Sequence, residues 1–123
     1  LYSRDAPLLL NDWAHEPPDA HYQASRAGHH PPMAQSGLLH NVAFYPWTSG
    51  LINGHGGQDG GVYAVTNVAA GERVRLRLCN GGENFAFRFS VDYHRLTVVA
   101  TDGLDTEPLE VDAVVLHLGE RYD

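Results

Sequence analysis

Apolar and polar positions alternate along the second half of this chain in short runs, broken by Gly and Asn clusters; this is the period of half-buried strands. Arg73-Val74-Arg75-Leu76-Arg77-Leu78 alternates strictly, with Val74, Leu76 and Leu78 on one face and three guanidiniums on the other. One side is expected to face a core and the other water. Val62 to Val68 is rich in β-branched and aromatic residues and predicts a strand ending in a turn at Ala69-Ala70-Gly71. Asn80-Gly81-Gly82 predicts another turn, followed by strands at Phe85–Val91 and Leu96–Ala100, a turn at Asp102-Gly103 and a strand from Val111 to Leu118. With early strands at Leu8–Leu10 and near Leu51-Ile52, this makes about seven, the spacing of an all-β, antiparallel two-sheet Greek-key sandwich. Residues 16–37 hold two Pro-Pro pairs and no sustained period, so they read as a long surface loop with room for one short helical turn.

The chain has 123 residues, the size of one domain, and at that length a core forms without disulfide or metal. Its lone Cys79 has no partner for an internal bridge. The net charge is −7, with 15 acids against 8 bases, all of them Arg. Such a balance argues against nucleic acid and anionic membrane surfaces as partners. No apolar run is long enough to span or insert into a membrane. The chain opens on Leu1-Tyr2-Ser3 and stops soon after the run at Val114–Leu118, so it is expected to be a piece of a longer polypeptide.

Several motifs then follow one another in a fixed order. Leu10-Asn11-Asp12-Trp13-Ala14-His15 comes first, then Leu51-Ile52-Asn53-Gly54, then Gly71-Glu72-Arg73-Val74-Arg75-Leu76-Arg77-Leu78. Phe87 to Asp92 with His94, Asp102-Gly103, Pro108, Asp112 and Gly119-Glu120-Arg121-Tyr122-Asp123 complete the series. This order and spacing resembles the second, plastocyanin-like (cupredoxin) domain of three-domain multicopper oxidases, the laccase, ascorbate oxidase and ferroxidase group. The resemblance covers nearly all of 1–123 and leaves only the 16–37 loop unplaced. It implies a cupredoxin-like fold and a middle position between flanking cupredoxin domains.

The same residues have a physical reading of their own. Gly54, Gly56 and Gly57 supply positive-φ positions or close backbone approach. Asn53 is favoured as a structural amide bonding within its own turn over a ligand contact. Tyr122 can bury its ring while its hydroxyl reaches a neighbouring loop, and Arg121 can pair with Asp102 or Asp92; structural roles are favoured for both. His94 matches the family's Asp-Gly-His corner with Asp92, but Tyr93 stands where Gly is usual.

The resemblance also implies substrate-cleft positions: Trp47, Thr48, Asn53 and His55. For His55, cleft exposure and plain loop exposure are equal readings, and for Trp47 packing is favoured over stacking on a substrate. Fungal laccases often place a carboxylate three residues before Leu51, where it accepts a phenol's proton; here that residue is Thr48, and an alcohol is no general base near neutral pH. The acids Asp102, Asp105, Glu107 and Glu110 could suggest iron recruitment, but a solvated, turn-rich edge is the favoured reading.

A blue copper site needs two imidazoles and a thiolate, usually with a weak axial thioether. Cys79 is followed by Asn-Gly-Gly-Glu-Asn, the next His is His94, and the only Met, Met33, lies far upstream. The eight His, at 15, 21, 29, 30, 40, 55, 94 and 117, include no His-x-His pair. The expectation is therefore a domain with no cofactor and no catalytic residue of its own, in a parent that carries copper elsewhere. By resemblance that parent couples one-electron oxidation of a phenol-like or metal-ion substrate to reduction of dioxygen to water and is extracellular; the fragment alone is expected to be inactive. The competing reading is a non-catalytic cupredoxin-like module of an extracellular assembly. A stand-alone electron carrier is disfavoured by the missing Cys-to-His loop.

Overall fold

The computed structural model describes residues 2–15, 19, 23, 26, 27, 48–57 and 60–123. They fall into two units, Leu1–Asp12 with Ser49–Asp123, and Trp13–Thr48. Among the described residues there are eight strands: β1 (Arg4–Trp13), β2 (Ser49–Ile52), β3 (Val74–Asn80), β4 (Phe87–Phe89), β5 (Leu96–Thr101), β6 (Leu104–Val111), β7 (Val114–Leu116) and β8 (Arg121–Tyr122). Six form one sheet in the order β2-β1-β3-β8-β5-β6, and β4 and β7 form a second, two-stranded sheet.

Period-2 patterning explains the core. In β1, Ala6, Leu8, Leu10 and Asp12 are buried and their neighbours are more exposed. Leu8 and Leu10 meet Leu78 of β3 and, from the small sheet, Val114 and Leu116, with Phe87, Phe89 and Tyr122 packed around them. Leu116 is 0 % exposed, and burying such a side chain contributes about 1.5–3 kcal/mol.

Several expectations are corrected. The sheet is not wholly antiparallel: β1 runs parallel to β3, from Arg4 opposite Val74 to Leu10 opposite Asn80. The long connection between them, which includes β2, permits a pairing that no hairpin could make. The stretch Val62–Val68 is not a strand, and Val62, Tyr63, Val65 and Val68 are exposed. It pairs with no strand among the described residues, so its β-branched residues have β propensity without a ladder. The run from Phe85 shortens to Phe87–Phe89 because the Phe85 backbone is tied to side chains: its N–H donates to Asp12 Oδ2 at 3.1 Å and its carbonyl accepts from Asn80 Nδ2 at 2.9 Å. The run from Val111 divides between the end of β6 and β7.

Of the acids expected on a solvated, turn-rich edge, Asp102 lies in the turn before β6 and Asp105, Glu107 and Glu110 lie on β6 itself, an exposed edge strand paired with β5. Asp105, Glu107 and Glu110, with Pro108 among them, oppose pairing with another strand. Asp102 (φ 48°) and Gly103 (φ 86°) join β5 to β6 as a two-residue hairpin turn, which requires two positive φ angles. In the 16–37 loop Asp19, Gln23 and Arg26 are helical, and Ala27 N–H donates to the Gln23 carbonyl at 3.0 Å. The rest of that loop, including His21, His29, His30 and Met33, lies outside the described residues, as do His40 and Trp47.

Candidate functional site

The turn after β2 carries two of the residues singled out from sequence. Ile52 and His55 exchange backbone hydrogen bonds, both at 2.9 Å, across Asn53 (φ 51°) and Gly54 (φ 77°). This is the Asn-Gly hairpin turn, in which both central residues take left-handed angles. The Asn53 amide does not bond within its own turn, because the Ile52–His55 exchange already closes it. It crosses to β1 instead: Oδ1 accepts from Leu9 N–H at 2.8 Å, and Nδ2 donates to the Pro7 carbonyl at 3.0 Å. Asn53 N–H also donates to the Leu9 carbonyl at 2.8 Å. The side chain thus pins the turn to the sheet, while His55 is exposed.

Thr48 belongs to the Trp13–Thr48 unit. Its N–H donates to the Trp13 carbonyl at 2.9 Å, and its hydroxyl lies 2.6 Å from His15 Nδ1. An imidazole therefore orients the hydroxyl that stands at the carboxylate position of the resemblance. Trp47 lies outside the described residues.

At the other named corner, His94 N–H donates to the Val91 carbonyl at 3.1 Å, closing a turn through Asp92 and Tyr93. Tyr93 takes φ 63° with its side chain fully in solvent, so it adopts the conformation that Gly would adopt freely. His94 Nδ1 lies 2.8 Å from the Asp92 carbonyl; since a carbonyl only accepts, Nδ1 carries the proton. The imidazole holds the corner.

Asp102 and Arg121 join the β5–β6 hairpin to β8. Asp102 Oδ1 accepts from Arg121 N–H at 3.0 Å, and Arg121 Nη2 donates to the Asp102 carbonyl at 3.0 Å. Tyr122, opposite Leu78 in the β3–β8 register, packs against the core.

Two buried polar residues were not singled out from sequence. The Asp12 carboxylate accepts from Glu83, Asn84 and Phe85 N–H groups, the shortest at 2.7 Å. Asn80, completely buried, donates through Nδ2 to Phe85 and Leu116 carbonyls and accepts from Gly82 N–H at 2.9 Å. Together they shape the loop after β3. A Cβ on Gly82 would lie 3.0 Å from Asn80 Oδ1 and 3.1 Å from Asp12 Oδ2, so that position has little room for a side chain. The signal was available: Asp12 continues the 6-8-10 phase and Asn80 the 74-76-78 phase, putting polar groups at core positions where they need partners.

On the polar face of β3, Arg75 Nη2 lies 2.6 Å from Asp123 Oδ2, and Arg77 lies 3.2 Å from both Asp123 and Asp5. The Asp123 hydrogen bond raises the Arg75 pKa, and the Asp5 hydrogen bond does the same for Arg77. Glu72 is held below the usual carboxylate range, first by the Ala69 N–H it accepts and then by the nearby Arg4.

Among the described residues no three His, Cys, Asp or Glu side chains come together in a way that could hold a metal ion. Cys79 is half-buried on β3, opposite Arg121, and His94 is committed to its own turn. These donors do not fit a copper.

The multicopper oxidase family model matches residues 4–123. The chain belongs to the multicopper oxidase family. Laccase-4 of Thanatephorus cucumeris is 38 % identical over 119 residues, 94 % of this chain and 20 % of the relative. An oxidoreductase of Beauveria bassiana, OpS5, is 34 % identical over 116 residues, 94 % of this chain and 19 % of the relative. The crystal structure of the Botrytis aclada laccase superposes with a TM-score of 0.73 at 30 % identity, covering 98 % of this chain and 22 % of the laccase. The fold is thus the cupredoxin-like sandwich of a multicopper oxidase. The chain spans about a fifth of the length of the relatives it matches. The family uses copper, and none of the described residues forms a metal site.

Proposed function

We propose that this chain is the copper-free middle domain of a laccase-like multicopper oxidase, a spacer between flanking cupredoxin domains and one wall of a substrate cleft. One observation carries the reading: the family match runs through residues 4–123, yet among the described residues no three His, Cys, Asp or Glu come together to hold a metal ion. The parent would oxidise a phenol-like or metal-ion substrate by one electron and reduce dioxygen to water, using copper held by other domains. An extracellular setting goes with that reading.

The cleft roles taken from the resemblance divide by geometry. Asn53 has its side-chain amide bonded to β1, so its role is to hold the turn. His55 and Thr48 are exposed and able to meet a substrate, and Trp47 is assigned there by resemblance alone. The Thr48 hydroxyl, 2.6 Å from His15 Nδ1, is suited to orienting a substrate hydroxyl and does not replace a carboxylate base. Asp92, His94, Asp102, Arg121 and Tyr122 serve the architecture.

The test is copper loading of the 123-residue chain beside the longer protein that contains it. The chain should stay colourless and inactive, while the longer protein should show the blue-copper band near about 600 nm. A strong band in the short chain would sink the reading. A longer protein that takes up no copper would instead support the structural module of an extracellular assembly.

A further inference from the structure

The chain holds two Asn-Gly pairs, Asn53-Gly54 and Asn80-Gly81, and such a pair has a chemistry of its own. The glycine nitrogen attacks the asparagine Cγ, a C–N bond forms, and the side-chain nitrogen leaves as ammonia with the proton that the glycine nitrogen gives up. Water then opens the cyclic imide at either carbonyl, leaving aspartate or isoaspartate. Glycine favours the closure because no Cβ hinders the approach. In a folded chain the reaction needs a free nitrogen, an amide able to turn and access to water. The two pairs differ in each. Gly81 N–H is occupied, donating to the Leu10 carbonyl at 2.9 Å. Asn80 is 0 % exposed, and its amide is bonded to the Phe85 and Leu116 carbonyls and to Gly82 N–H. Gly54 N–H, by contrast, has no hydrogen-bond partner among the described residues. Asn53 and Gly54 are both exposed, and a Cβ on Gly54 would meet nothing within 4 Å. Only the bonds to β1 restrain the Asn53 amide, Oδ1 from Leu9 N–H at 2.8 Å and Nδ2 to the Pro7 carbonyl at 3.0 Å.

We propose that Asn53-Gly54 is a self-modification site, at which the folded chain converts Asn53 to aspartate or isoaspartate while Asn80 stays intact. Ring closure draws the Asn53 amide away from β1, so it proceeds from openings in which the bonds to Pro7 and Leu9 are released. Such openings are frequent at an exposed turn and rare at a core residue. The conversion is one-way, because the ammonia is lost. Its product carries a carboxylate oxygen where Nδ2 stood, so the Pro7 carbonyl loses its donor and faces another acceptor. Isoaspartate also routes the backbone through the side chain, lengthening by a methylene the tight loop that the Ile52–His55 exchange closes. Modification therefore loosens the turn after β2 from β1 and adds a negative charge. The site stands independently of the oxidase reading.

The test incubates the 123-residue chain at mildly alkaline pH, with and without denaturing urea, and follows aspartate and isoaspartate at positions 53 and 80 by peptide mapping. In native buffer the product should accumulate at position 53 faster than at position 80 by about tenfold or more. In urea that gap should close. Equal native rates, a faster reaction at Asn80, or no reaction at Asn53 in native buffer would overturn the proposal. A gap that persists undiminished in urea would overturn it too, since neighbouring residues and not the fold would then set the order. Asn53→Asp reproduces the aspartate product, keeping the acceptor for Leu9 N–H and removing the donor to Pro7. It should lower Tm by about 3 °C or more. An unchanged Tm would overturn the loosening of the turn.

Discussion

Val62–Val68 and β3 are close in sequence and both read as strands, yet only one of them is. β3 has β1 on one edge, β8 on the other, and Leu78 in the core. The earlier segment leaves Val65 78 % exposed and is held by contacts at its ends, Arg4 to the Asn67 carbonyl and the turn Ala69–Glu72. Its composition is as strand-like as that of β3. The difference shows that β-branched residues qualify a segment for a sheet, but partners and packing against the core decide whether it joins one.

The comparison can be broken most forcefully at Leu78. Replacing Leu78 with Ala should lower unfolding free energy by about 2–5 kcal/mol, measured by denaturant titration. A loss no larger than that of a surface change would mean that β3 is not the structural centre. Asn80→Ala tests the polar end of the same strand: it strips partners from the buried Leu116 carbonyl and from Gly82 N–H, with an expected cost of about 1–3 kcal/mol. Unchanged stability would show that solvent replaces Asn80 in those bonds.

Glu72 sits between the two segments. Its carboxylate accepts Ala69 N–H at 2.9 Å and Ser3 Oγ at 3.2 Å, and lies 3.3 Å from Arg4 Nε. Because its pKa is lowered on folding, its contribution is fully present above the ordinary glutamate range and is lost as pH falls through the lowered value. Glu72→Gln should therefore give a slightly lower Tm at neutral pH and converge with the unsubstituted chain in acid; a gap that widens in acid would contradict the sign. The smallest effect belongs to Val65→Ala, which should stay within about 0.5 kcal/mol. A loss comparable to that at Leu78 would mean that Val62–Val68 is packed after all.

Much of the fold was legible because period and turn chemistry agree. The alternation of Val74, Leu76 and Leu78 placed an inward face correctly, and Asp102-Gly103 is a turn because its two residues take the left-handed angles those types tolerate. Strand β6 was hidden by its charges and Pro108: an exposed edge strand carries no apolar phase to read. Strand β8 was hidden by brevity. Asn53 was read as an amide bonding within its own turn, but its partners on β1 lie 44 and 46 positions away in the chain, beyond any local rule. Asp12 and Asn80 were legible only as polar residues at core phase, because the N–H and carbonyl groups that satisfy them belong to a loop whose path they themselves set.

The sequence by itself determined the class, an all-β sandwich with the ordered motifs of a multicopper oxidase domain, because alternation, turn residues and motif spacing are local properties of the chain. Tertiary structure alone decided that β1 runs parallel to β3 and that Val62–Val68 stays out of the sheet. Both depend on hydrogen bonds and packing between residues far apart in sequence, which no local pattern encodes.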